Sequence, residues 1–149
     1  MLKITKGLNP LCGVITTYTD DRGNEYVRVR TEDEDFGIAA HDYIKDGKAV
    51  FSWDDAMHLT EQEGLTMLTL KQVGVYKEHL TEINNKLKEI GGEALKSTWY
   101  WTSSIYSGGG DIGWIYQGVS SWIYRGVSGE TDYSFHYIDC KVRPILNLQ

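Results

Sequence analysis

From Ser97 onward the chain changes its chemistry abruptly. Residues 99 to 137 hold eleven aromatic residues, seven glycines and seven serines, yet only four charged residues and no lysine. Such a stretch has no helical period, and its turn-forming residues divide it into short extended pieces. The segment before it, residues 52 to 92, has helical spacing, and the segment before that, residues 1 to 51, has strand signals. Strands, then helices, then a β-rich half cannot form the alternating units of a parallel α/β sheet. The expected class is α+β, with its elements segregated along one domain spanning residues 1 to 149.

Within this frame each region carries specific signals. "VITTYTDDRGNEYVRVRT" reads as a hairpin around Asp20-Asp21-Arg22-Gly23-Asn24, with Val27 and Val29 alternating against Tyr26, Arg28 and Arg30. The acidic string Glu32 to Asp35 lacks EF-hand glycine and ligand spacing and reads as a solvated loop. "FGIAA" and "AVF" then flank the turn "KDGK". Ser52 and Asp55 suggest the start of a helix that buries Trp53, Ala56, Met57 and Thr60 and stops at Gly64. Thr69 and Gln72 have capping-box spacing, and Leu80, Ile83, Leu87 and Ile90 recur at helical intervals up to Gly91-Gly92. Gly74 suggests a break into two helices. The final "KVRPILNL", with its Pro144, reads as an edge strand.

The aromatic half asks for more than packing. Core strands favour Val, Ile and Leu, whereas Tyr, Trp, Ser and Gly together are the chemistry of contact surfaces, giving broad area at small entropic cost. We expect a binding face, with the aromatics nearest Trp101 and Trp114 buried. The phrase Trp-Ile-Tyr-x-Gly-Val-Ser occurs twice between residues 113 and 129. Two copies are too few for a solenoid, and the alternation suggests two strands joined near Ser120-Ser121.

A net charge of -6 opposes a phosphate-binding surface, so nucleic acid is not an expected partner. No apolar run approaches the roughly 20 residues of a membrane span, and the opening lacks the apolar core of a secretory leader. Cys12 and Cys140 could pair if the termini meet, but without a leader free thiols are the expectation. His41, His58, His79 and His136 show no metal-ligand spacing, Asp54-Asp55 is explained by the helix dipole, and no nucleophile motif is present. No catalytic residue, metal or cofactor is expected. His136, within "YSFHYID", is the one histidine placed for contact.

"YWTSSIYS", an aromatic strand pair and "CKVRPIL" together resemble C-type-lectin-like domains of bacteria and their phages, which carry "YWSSTEY", "AWY" and "YRVRPV". This family includes the variable proteins of diversity-generating retroelements and the C-terminal domain of a Legionella collagen-like adhesin. "WDDAM", "LTLKQ" and "INNKLKEIGGEAL" extend the likeness to about residues 37 to 146, with Ile105, Leu70 and Lys141 as departures. The resemblance implies paired terminal strands, two helical regions and a second small antiparallel sheet that displays the ligand surface. It also implies a non-catalytic module for receptor binding or adhesion, displayed on a virion or exported to a cell surface, whose variable segment is residues 105 to 140. Trp122, Tyr124, Asp132 and Tyr133 suit a calcium-independent glycan site. Tyr116, Tyr124, Arg125, Phe135 and Tyr137 suit a cell-surface protein, and Tyr106, Asp111 and His136 complete the expected ligand-binding set. A fibre or decoration protein burying the same face in a homo-oligomer or virion assembly is the alternative.

Overall fold

The structure, a computed structural model, describes residues 13–106 and 120–149. Seven strands and three helices make up these residues, confirming the α+β class: β1 (Val14–Thr19), β2 (Glu25–Arg30), β3 (Asp35–Ala39), α1 (Trp53–Gln62), α2 (Leu70–Glu78), α3 (Leu80–Glu89), β4 (Trp99–Tyr106), β5 (Ser120–Arg125), β6 (Thr131–Phe135) and β7 (Ile145–Asn147). They form two antiparallel sheets, one of order β1-β2-β3-β7 and a smaller one of order β4-β5-β6.

The expected hairpin forms, and its turn has a clear cause. Asp20 accepts hydrogen bonds from the backbone N–H groups of Arg22 and Asn24, both at 2.9 Å, while Gly23 takes a φ of 87°. Alternation then sends Ile15, Val27, Val29, Phe36, Ile38 and Ile145 to one face of the large sheet, where they pack with Val73, Val75, Tyr76, Ile83 and Leu87 of the helices. A second cluster joins Tyr43, Phe51, Ala56, Met67, Trp101, Ile123 and Val142, with Trp53 and Met57 of α1 packed against it.

The helix caps behave as their spacing suggests. Ser52 caps α1, Gly64 ends it with a φ of 74°, and Thr69 with Gln72 forms a complete capping box on α2. The break in the second helical region is elsewhere than expected: Gly74 lies inside α2, and the chain turns at His79. Glycine weakens a helix but does not end one that packing supports, and Val73, Val75 and Tyr76 around it are buried. The acidic string is also not simply solvated. Asp35 holds Arg28 in a bidentate pair at 2.7 and 2.9 Å, Asp33 pairs with Lys71 at 2.9 Å, and Glu34 accepts a hydrogen bond from Gln72.

Strand pairing brings two further corrections. β7 is an edge strand, as Pro144 suggested, but its partner is β3; β1 lies at the opposite edge, so these two end strands do not pair. Ser120 and Ser121 are not a turn. They open β5, opposite Tyr106 and Ile105 on one side and Phe135 and Ser134 on the other. The first copy of the doubled phrase, with Trp114, falls outside the described residues, as does Cys12. Cys140 is a buried free thiol, and burial pushes its pKa up to about 12.

Residues 140 to 145 stitch the two sheets together. Cys140 pairs with Phe51, Lys141 with β4, and Ile145 with Thr66. Tyr43 N–H donates to Val142 and Ala39 N–H to Pro144. Arg143, 1% exposed, donates to Asp42 Oδ1 at 2.9 Å and to the carbonyls of Ala39, Ala40, Glu93 and Ala94. Asp42 Oδ2 accepts from Lys96 at 3.0 Å and from the Tyr100 hydroxyl at 3.2 Å.

Removing Asp42 leaves the Arg143 guanidinium buried without a counter-charge, and removing Arg143 leaves the buried Asp42 carboxylate with Lys96 as its one cationic partner. Arg143→Met or Asp42→Leu alone should lower unfolding stability by about 3–5 kcal/mol. The double variant should lose much less than the sum, as read from urea denaturation of all four proteins.

Candidate ligand-binding site

The small sheet has a buried end and an open end, and strand parity decides which aromatics reach each. In the register Trp99↔Arg125, Tyr100↔Tyr124 and Trp101↔Ile123, successive pairs face opposite sides. Tyr100 and Tyr124 enter the helix-facing core, while Trp101 and Ile123 enter the second cluster. Both sides of this end are therefore covered. The Trp101 indole N–H donates to Phe51 O at 2.7 Å, so the largest buried ring has its polar atom satisfied.

Between Trp101 and Ile105 the register shifts. The intervening "TSS" is pinned by its own hydrogen bonds. Thr102 Oγ1 donates to Trp122 O at 2.7 Å, Ser103 N–H donates to Leu68 O, and Ser104 Oγ accepts from Leu70 N–H, both at 2.9 Å. The bulge thus docks β4 on the start of α2. The shift is even, so Tyr106 stays on the face of Tyr100 and Tyr124.

At this open end three rings converge. Trp122 lies opposite Tyr133 in the β5–β6 pairing. Tyr106 stacks on Tyr133 with centroids 4.0 Å apart and meets Trp122 edge-on at 5.0 Å. Tyr133 is 49% exposed. At the end of β6, Phe135 stacks on Tyr137 at 5.6 Å, and Tyr137 is 69% exposed. Aromatic pairs that remain this open offer apolar area and hydroxyls to a ligand without prior unfolding.

Not every expected site residue joins them. Tyr124 is core: it is 1% exposed, stacks on Tyr100 at 5.4 Å and meets Tyr76 of α2 edge-on at 6.0 Å. Its position on the face of Trp122 was legible, but the helix covering it was not. Burial raises its hydroxyl pKa well above the ordinary value. Arg125 and Asp132 occupy alternate positions to Trp122 and Tyr133, so they face the other side. Arg125 donates to Ser97 Oγ at 3.3 Å, and Asp132 accepts the Tyr133 N–H at 2.8 Å. Asp111 and Tyr116 lie outside the described residues.

His136 is not an open contact but a peg. Its ring stacks on Trp53 of α1 at 4.2 Å, meets Trp101 edge-on at 6.2 Å, and stands 2.7 Å from Ser121 Oγ through Nε2. Its carbonyl accepts the Trp53 N–H. The flanking residues Phe135 and Tyr137 thus leave a point fixed on α1. Trp53 reads as a core residue in the sequence, and nothing there links it to a histidine so far along the chain.

Ser121, His136 and Asp54 stand in the order of a nucleophile relay, so their chemistry needs weighing. Asp54 Oδ1 is 3.9 Å from Nδ1, beyond hydrogen-bond reach, and is a solvent-exposed carboxylate. Ser121 is 0% exposed in the middle strand of the sheet, so no carbonyl can approach its oxygen. The arrangement is a buried polar join between α1 and β5. No cluster of three or more His, Cys, Asp or Glu residues suited to a metal occurs among the described residues.

A scan against protein-family models finds no match, and no curated protein matches the sequence.

Two pH windows follow from this chemistry. Burial lowers the His136 pKa from 6.5, with Asp54 opposing. The unfolded chain therefore binds this proton more readily, and stability should fall as pH drops through about 6.5. Burial would raise Glu93, but the hydrogen bonds from Lys96 and the Asp42 N–H outweigh it and bring its pKa to about 2. Its contribution is present above the unfolded value of 4.5 and should be lost between there and about 2. Thermal unfolding against pH should show both declines, and His136→Gln should remove only the upper one.

Proposed function

We propose that this α+β domain has the C-type-lectin-like arrangement and works as a non-catalytic ligand-recognition module, displayed on a cell or virion surface for receptor binding or adhesion. One observation carries this reading. Tyr106, Trp122 and Tyr133 gather on one face beyond the core, with the Phe135–Tyr137 pair at the end of the same strand. The motif residues agree with it in kind. The Arg of "CKVRPIL" is a scaffold residue buried at the join of the sheets, the "SS" of "YWTSSIYS" forms the bulge below the aromatic rim, and the Gly-Gly after α3 leads into the first tryptophan strand.

The ligand is a protein or a glycan on a cell surface, bound without calcium through ring faces and tyrosine hydroxyls. Residues 105 to 140 form the variable binding segment, but packing restricts which positions tolerate change. Ser121, Ile123, Tyr124 and Cys140 are all buried, whereas Tyr133 and Tyr137 are open. Replacement at Tyr133, Tyr137 and the neighbouring Tyr106, Trp122 and Phe135 alters the surface while the two cores persist.

Binding to intact cells and to immobilised glycans tests this division. Tyr133→Ala with Tyr137→Ala should abolish binding while moving the unfolding midpoint little. Tyr124→Ala should instead destabilise the fold by about 3–5 kcal/mol through cavity formation. Undiminished binding by the folded double variant would overturn the proposed surface. Protection of both tyrosines from surface labelling only in an assembled particle would favour the fibre or decoration role.

A further inference from the structure

An open sheet ends in strands that each leave one row of backbone groups unpaired, and three of the four end strands here are met by other groups. β7 exchanges two backbone hydrogen bonds with Thr66, both at 2.9 Å. β4 bonds Lys141 through Trp99 and Trp101, and Leu68 through Ser103. β6 turns its Tyr133 N–H to Asp132 Oδ1 at 2.8 Å and its Phe135 carbonyl to the Ile138 N–H at 3.1 Å. β1 is the exception: among the described residues, no group bonds to the side of it that faces away from β2.

The ladder decides which groups of β1 point outward. Asp20 N–H donates to Asn24 O in line with the β1–β2 register, so the alternation of antiparallel pairs makes Tyr18, Thr16 and Val14 bond to β2. Ile15, Thr17 and Thr19 therefore direct their N–H and C=O groups away from the sheet, and Gly13 continues the row. The strand keeps one register over all six residues and has no charge, Pro, Gly or bulge. Those are the usual devices that keep an edge from pairing. Four of the six residues are exposed, Val14 by 61%.

The residues of β1 are matched to a second copy of the same strand. In an antiparallel pair about a two-fold axis at Thr16, every outward-facing residue meets another: Ile15 meets Thr17 and Gly13 meets Thr19, each pair exchanging two N–H···O bonds. On the face shared with Tyr26 and Arg28, the exposed Val14 meets Tyr18 of the second copy, a β-branched residue against an aromatic ring. At the axis Thr16 meets Thr16 with Cα atoms about 4.5 Å apart. Because β1 carries no charge, the two-fold sets no like charges opposite one another. Moving the axis to Thr17 keeps the faces but places Val14 against Asp20 and Gly13 against Asp21. A foreign strand would gain the backbone bonds without these side-chain pairs.

We propose that β1 pairs antiparallel with β1 of a second copy, joining two four-stranded sheets into one. Sedimentation of the full chain from about 10 to 500 μM should show mass rising toward twice the 16.9 kDa of one chain. Hydrogen exchange at the Ile15, Thr17 and Thr19 amides should slow over the same range. Thr17→Pro removes an outward N–H but no bond to β2, and Thr16→Lys sets two ammonium groups opposite each other at the axis. Each should weaken the dimer about tenfold and leave the fold intact. In a Cys12→Ser background, Thr16→Cys should join two chains through oxidised glutathione, two thiols giving one disulfide as the glutathione is reduced, whereas Thr19→Cys, opposite Gly13, should not. A monomer at every concentration would overturn the proposal, as would outward amides equally protected at the lowest concentration, the result expected if residues 1–12 cover their own edge. So would a dimer that survives both Thr17→Pro and Thr16→Lys, or crosslinks equally through Thr19→Cys.

Discussion

The ion pair between Arg143 and Asp42 is the point on which both sheets depend. A guanidinium that is 1% exposed would be costly alone, yet here it meets a carboxylate and the carbonyls that end β3 and follow α3. The same carboxylate holds Tyr100 of the small sheet and Lys96 just before it. Thus one buried charge network fixes the exit of the large sheet, the end of the helical region and the entry to the small sheet. Apolar contact fixes orientation less sharply, because it is not directional. The planar fork of arginine is, and a lysine at residue 143 could not reach the same set of carbonyls.

That fixed entry explains how the small sheet serves two cores. Tyr100 and Trp101 are neighbours in sequence and face opposite ways, so one strand supplies the helix-facing cluster and the cluster around α1 at once. Coverage on both sides leaves this end no surface to offer. Beyond the Thr102–Ser104 bulge α1 still covers the face of Ser121 through Trp53 and His136, whereas on the opposite face the strand that buries Tyr124 continues to Trp122, whose neighbour Tyr133 is exposed. Scaffold and surface therefore share strands and differ only by position along them.

Much of this plan was legible in the sequence because local physics dictated it. The Asp20–Asn24 turn, the Thr69–Gln72 capping box and the Gly64 stop each rest on a few adjacent residues, and tertiary context did not override them. Where context decided, the reading failed. Gly74 weakens a helix only if packing on Val73, Val75 and Tyr76 does not compensate. Ser120 and Ser121 have turn chemistry but also two flanking strands to pair with. Tyr124 has the chemistry of a contact residue, and its packing against Tyr76 of α2 and Tyr100 removes it from the surface. The face of Arg125 and Asp132 follows from parity alone once the strand begins at Ser120, but a presumed turn at that point obscured it.

His136 shows why residue type is a poor guide to role in an aromatic-rich segment. Among Tyr and Phe it has the chemistry of a contact residue, and beside Ser121 and Asp54 it has the spacing of a general base. Its environment permits neither. Trp53 covers one face, Ser121 occupies Nε2, and the serine is inaccessible. What remains is a positional role. With the ring held on α1, the alternation of the chain turns Phe135 and Tyr137 away from the core, where each can stack on the other and still face solvent. A residue held between Trp53 and Ser121 thereby sets the direction of two that face solvent. His136 therefore belongs with Tyr124 and Ser121 to the scaffold of the small sheet.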